Sequence, residues 1–124
     1  MSINVKNIKT DKNNFYYLWL QFLKPYHKLT NKEIELLALF LKKREELSRN
    51  INDNNLIDKM LFNKDTKADI RAIMNYETYQ VFNNMMTSLR KKGAIVDNSI
   101  NKGLIPKLEG NNFKLIFNFN INES

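Results

Sequence analysis

Cysteine is absent from this chain. That excludes disulfides, thiolate zinc sites and cysteine nucleophiles, and it fits a reducing compartment. Histidine occurs once, as His27, so a metal site would have to be built from carboxylates alone. Glycine is scarce, with three residues, and none belongs to a loop of the phosphate-cradling kind. No apolar run approaches the ~20 residues that cross a bilayer. The opening MSINVKNIKT lacks the apolar middle of a secretion signal. A cytoplasmic chain with no membrane partner, no cofactor, no metal and no catalytic activity is therefore expected. Asp53, Asp58, Asp65 and Asp69 are scattered through a polar stretch and read as structural.

Asparagine, lysine and isoleucine are plentiful, at 20, 16 and 12 residues, whereas Ala, Gly, Pro and Arg together number 13. This is the skew of an AT-rich genome, so a Lys or Asn carries less functional information than usual. The net charge of +7 points to an acidic partner, but its distribution is uneven. Residues 1–50 hold ten Lys/Arg against five Asp/Glu, residues 51–92 seven against five, and residues 93–124 three against three.

The length suits one domain with a real core. Ile3 and Val5 alternate within INVKNI and suggest a short edge strand. Phe15, Leu18, Trp19 and Phe22 fall on one face of a helix that stops before Pro25. The clearest helix follows: Thr30 and Glu33 form a capping box, and Ile34, Leu37 and Leu41, flanked by Leu36 and Phe40, make its apolar stripe. The run KKREEL is its solvated end. Two short helices are expected next, one carrying Leu56, Ile57, Met60 and Leu61, the other burying Ile70 and Ile73. Thr78 caps a further helix whose Phe82, Met85, Met86 and Leu89 point inward, and Gly93 stands where a left-handed C-terminal residue is needed. Beyond it, AIVDN reads as a short strand, SINKGLIPKLEGNN as a long loop with a turn at Gly110, and FKLIFNFNI as a half-buried strand. In that last segment Phe113, Leu115, Phe117, Phe119 and Ile121 share one face, so it should pair antiparallel with AIVDN.

The expected class is therefore mainly α with a small antiparallel β-hairpin (α+β), in a winged helix-turn-helix plan. It forms a single domain: an N-terminal arm or edge strand over 1–12, a helical part over 13–92 and a wing hairpin over 93–121. At IRAIMNYETYQVFNNMMTSLRKKGAIVDN the chain resembles winged-helix domains of the bacterial MarR-like kind, with Leu89, Lys92, Gly93, Ile95 and Val96 in the places of the reading helix, its glycine turn and the following strand. It is also similar to small proteins of tailed bacteriophages, including the crAss-like phages, at Leu29–Glu33, Leu89–Asn98, Leu104–Leu108 and Phe113–Ile121. That resemblance implies a phage origin.

Two functions lead as expectations, with a partner protein that modulates a host or phage polymerase as a third. In the first, the chain is a virion component of a head–tail connector or tail ring. It packs against other phage structural proteins in an oligomeric assembly, with the apolar loop residues Leu104, Ile105 and Leu108 either folding back on the core or docking on a neighbour. In the second, it is a transcriptional regulator that binds duplex DNA. Gln80, Asn83, Asn84, Thr87 and Lys91 would then face the major groove. Tyr76 and Tyr79, Lys64, Lys67 and Arg71 on the preceding helix, and Lys102 and Lys107 in the wing, would meet the backbone. The near-neutral charge of residues 51–124 and the absence of arginine from the wing favour the first.

Overall fold

A computed structural model describes residues 5–76, 79–108, 110 and 112–122. Among them six α-helices are followed by one two-stranded antiparallel sheet and a 3₁₀ turn. The chain is mainly helical with a small β element, as its periodicities indicate.

Helix α3 (Asn31–Ser48) is the centre of the molecule. Its start is fixed by the predicted capping box: the Glu33 backbone N–H donates to the Thr30 hydroxyl (3.2 Å), and the Thr30 N–H donates to Glu33 Oε1 (2.8 Å). Ile34, Leu36, Leu37 and Phe40 are fully buried, so the expected stripe is the core stripe. Each such side chain contributes about 1.5–3 kcal/mol. Around α3 pack α1 (Lys12–Phe22), α4 (Asn54–Leu61) and α5 (Lys64–Ile73).

Several inward faces differ from those predicted. In α1 the buried residues are Tyr16, Trp19 and Leu20; Phe15 and Leu18 are only partly covered, and Phe22 is exposed. Phe15 to Leu20 is apolar throughout, so two stripes one residue apart satisfy the helical period equally, and packing against α3 selects the second. In α4, Ile57 and Leu61 are buried, while Leu56 is exposed and Met60 is only just so. In α5, Ile70 is buried but Ile73 is not: it borders a shallow groove with Leu39 and Ala72. As expected, α1 stops before Pro25, at Phe22. Pro25 sits in the first turn of the single-turn helix α2 (Lys24–His27), where its missing N–H costs nothing.

Helix α6 (Tyr79–Lys91) buries Phe82, Met86 and Leu89 as predicted, with Met85 partly covered. Thr78, its expected cap, lies outside the described residues. Both α5 and α6 end in the same six-residue device. Asn75 (φ 59°) lets the Tyr76 N–H reach the Arg71 carbonyl, and Gly93 (φ 79°) lets the Ala94 N–H reach the Leu89 carbonyl.

The hairpin departs most from expectation. Strand β1 (Ile95–Val96) pairs with β2 (Ser99–Ile100), Ile95 opposite Ile100 and Val96 opposite Ser99. The segment 113–121 is not its partner: the described residues from 113 to 122 form no strand, and Ile116, Phe119 and Ile121 are more than four-fifths exposed. The cause is the two-residue turn at Asp97 (φ 50°) and Asn98 (φ 56°). Both adopt the left-handed conformation of the tight hairpin turn, which Asp and Asn tolerate. A nearby partner closes the pair before the distant one can. Val5 is likewise exposed and forms no strand, and Ile3 lies outside the described residues.

Candidate functional site

The face that sequence assigns to recognition is set by the inward pull of Phe82, Met86 and Leu89. Fixing these three leaves Gln80, Asn83, Asn84, Thr87 and Lys91 of α6 exposed, all five of the predicted groove-facing residues. Gln80 donates to Asn84 Oδ1 (3.2 Å), so two of the amides are already engaged one turn apart. The face is neutral along most of its length, and Arg90 and Lys91 stand only at its end.

The flanking cations divide between engaged and exposed. Arg71 of α5 lies over the Tyr79 ring, its guanidinium carbon 3.5 Å from the ring centroid, which pins the start of α6 to α5. Lys64 is exposed in the first turn of α5 and Lys67 is partly covered. Lys102 and Lys107 are exposed beyond the hairpin, which is shorter than the predicted wing. Tyr76 is partly buried, its hydroxyl has no hydrogen-bond partner among the described residues, and burial raises its pKa. That hydroxyl is buried rather than offered to a phosphate.

Sequence reasoning missed a cluster beneath this helix. Glu33, 2% exposed, accepts from Lys92 Nζ (2.6 Å), from the Ser88 hydroxyl and from the Thr30 N–H. Lys92 also donates to the Lys28 carbonyl (3.4 Å). Burial alone would raise the Glu33 pKa; hydrogen bonds from Lys92, Ser88 and Thr30 outweigh it and bring the value down to about 2. The cluster locks the end of α6 to the start of α3. Its signal in the sequence is the i, i+4 pair Ser88 and Lys92, but nothing local says that Glu33 lies beneath them.

The loop triplet divides. Leu104 is buried, and its carbonyl accepts the Trp19 indole N–H (2.9 Å). Ile105 packs partly on the same core, whereas Leu108 is exposed. The segment thus folds back over α1, and only Leu108 is left facing outward. Beside it, Tyr16, Arg44, Glu45 and Leu108 border an open cleft of about 330 Å³. The Tyr16 hydroxyl is pushed up to about 12 by burial, then by the Glu45 charge, and stays protonated. The Arg44 Nε is buried and has no hydrogen-bond partner among the described residues.

Comparison of the chain with protein-family models, with curated proteins and with solved structures returns no match. The residues themselves must carry the functional argument. His27 is held in place: its Nε2 donates to the Leu20 carbonyl (2.7 Å), and its Nδ1 accepts the Leu29 N–H (3.0 Å). Asp53 caps α4 through the Asn55 N–H (2.9 Å). Burial raises the Asp58 pKa against the pull of Arg44. Asp65 lies in the first turn of α5, where a carboxylate complements the helix dipole. Among the described residues, no three His, Asp or Glu side chains gather as a metal site, and no helix is long and apolar enough to cross a membrane.

Proposed function

We propose that this chain is a non-catalytic protein-packing module of winged-helix type, built into the particle of a tailed phage as part of a connector or tail ring. The observation that carries this reading is the charge of the α6 face. Its middle presents Gln80, Asn83, Asn84 and Thr87 with no cation among them. The neighbouring Arg71 is stacked on Tyr79, and Lys92 is paired with Glu33. A helix that enters the major groove needs phosphate contacts on both sides to hold it there, and these supply most of the affinity. Amide-rich surfaces of this kind suit a protein neighbour, with which they exchange neutral hydrogen bonds. The phage setting rests on the sequence resemblance and the composition.

DNA reading is the second interpretation, favoured by one observation: all five predicted groove-facing side chains do emerge on one exposed face. The two separate cleanly. As a packing module, the protein binds duplex DNA no better than the nonspecific range, about 10⁻⁴–10⁻⁶ M near physiological salt. Fluorescence anisotropy on random and phage-derived duplexes measures this. Sequence-selective binding near ~10⁻⁸ M with a steep salt slope would overturn the proposal, and Asn83→Ala with Asn84→Ala should then abolish the selectivity. Mass spectrometry of purified particles gives the positive test: a packing module is present at a fixed ring stoichiometry, and its absence rejects the reading.

A further inference from the structure

The segment 113–121 is the stretch that the described part of the fold uses least. It runs without helix, turn or bend, and has no strand partner among the described residues. Its first residue is anchored, because Phe113 meets Phe15 and Trp19 edge-on at 5.4 Å and 5.2 Å between centroids. From there the chain carries Leu115, Phe117, Phe119 and Ile121 into solvent, the last two more than four-fifths exposed. The Phe117 and Phe119 rings are 6.5 Å apart, close to the ~6.6 Å that two residues span along an extended chain. The alternate residues therefore share a face. A long apolar edge of this kind is normally covered or blunted, and this one carries a single charge, Lys114.

The order of its residues suits a second copy of the chain as the cover. Read in both directions from Phe117, the pattern repeats: Leu115 answers Phe119, and Phe113 answers Ile121 on one face; Ile116 answers Asn118, and Lys114 answers Asn120 on the other. Antiparallel pairing of two copies about Phe117 thus sets every member of the apolar face opposite another. It also keeps the two Lys114 side chains about 20 Å apart, six residues along the strands. Parallel in-register pairing would instead stack Lys114 on Lys114, which is unfavourable directly across a sheet. The antiparallel arrangement also brings Ile121 of the second copy onto Phe113, and so onto the aromatic group formed with Phe15 and Trp19. The exposed parts of Leu115, Phe117, Phe119 and Ile121 from both copies give an interface of at most about 1,000 Å² in total, at the low end of specific interfaces.

We infer that residues 113–121 form a two-fold antiparallel strand pair with a second copy of this chain, centred on Phe117. The inference stands whether the α6 face meets protein or DNA. It is tested by sedimentation together with cysteine cross-linking, for which the cysteine-free full-length chain is suited. The wild-type protein should sediment as a dimer, and Phe117→Lys should sediment as a monomer with an unchanged helical circular dichroism spectrum. With oxidised glutathione as oxidant, Phe117→Cys should form a disulfide-linked dimer. Leu115→Cys and Phe119→Cys should each cross-link poorly alone and well when mixed, because 115 faces 119. A monomeric wild-type protein overturns the inference. So does equal cross-linking of Leu115→Cys and Phe119→Cys on their own, or dimerisation that survives Phe117→Lys.

Discussion

At the scale of single residues, Glu33 shows how one side chain serves two purposes. As a cap it acts locally, and that part is legible in the sequence because Thr30 and Glu33 are three positions apart. As an acceptor for Ser88 and Lys92 it acts across 55 and 59 residues, a relation that only the packed chain creates. The pH consequence follows from its lowered pKa. An ordinary glutamate near 4.5 falls to about 2 in the folded state, so the folded form resists protonation. The stability this provides is complete above about pH 4.5 and is lost as pH falls toward about 2. By linkage it amounts to about 3 kcal/mol. Glu33→Gln should therefore lower stability at pH 7 by about 2 kcal/mol, the scale of a charge-assisted hydrogen bond, and flatten the pH dependence in that window. Urea titrations from pH 2.5 to 7 measure both. A variant that loses stability with acid as steeply as the wild type would show that the buried carboxylate is not the group responsible.

Among the elements, helices were readable and strand pairing was not, and the reasons are physical. A helix is specified by neighbours three and four residues apart, so α3 and α6 could be placed with their core faces from Ile34, Leu37, Phe82 and Leu89. α1 was placed with its face one residue off, because six successive apolar residues offer two stripes. Pairing of strands depends on which edge reaches its partner first. FKLIFNFNI has the stronger alternation, but the two left-handed residues Asp97 and Asn98 close β1 onto β2 within six residues. The candidate recognition face was legible for the same reason as α6 itself, while the states of its flanking cations depended on Tyr79 and Glu33 in three dimensions. The end of α6 gives a test of the local rule. Gly93 has φ 79°, and a Cβ built there meets nothing within 4 Å. Gly93→Ala therefore meets backbone strain without a clash and should cost about 1–2 kcal/mol, the price of a left-handed non-glycine residue. Thermal unfolding followed at 222 nm reads the change. A loss above about 4 kcal/mol would mean that the Glu33 cluster next to it had been displaced as well.

For the whole molecule, three long-range links decide what belongs to the fold. Lys92 ties α6 to the start of α3. The Trp19 indole ties α1 to the Leu104 carbonyl, 85 residues away. Phe113 closes the chain back on Phe15 and Trp19. Everything described after Phe113 is exposed or nearly so, and it contributes little to the monomer. This sets apart two changes that sequence alone would treat alike, since both touch the same alternating segment. Phe113→Ala removes two edge-to-face ring contacts, each worth about 0.5–1.5 kcal/mol, and should destabilise the protein by about 2 kcal/mol at every protein concentration. Ending the chain at Phe113 should leave dilute protein within about 0.5 kcal/mol of the wild type, as for other surface changes. The full-length chain, however, should gain stability as its concentration rises, because association that engages only the folded form shifts unfolding by mass action. Denaturation at two protein concentrations a hundredfold apart separates these outcomes. If the shortened chain unfolds without cooperativity when dilute, the tail is part of the core rather than an arm for a second copy.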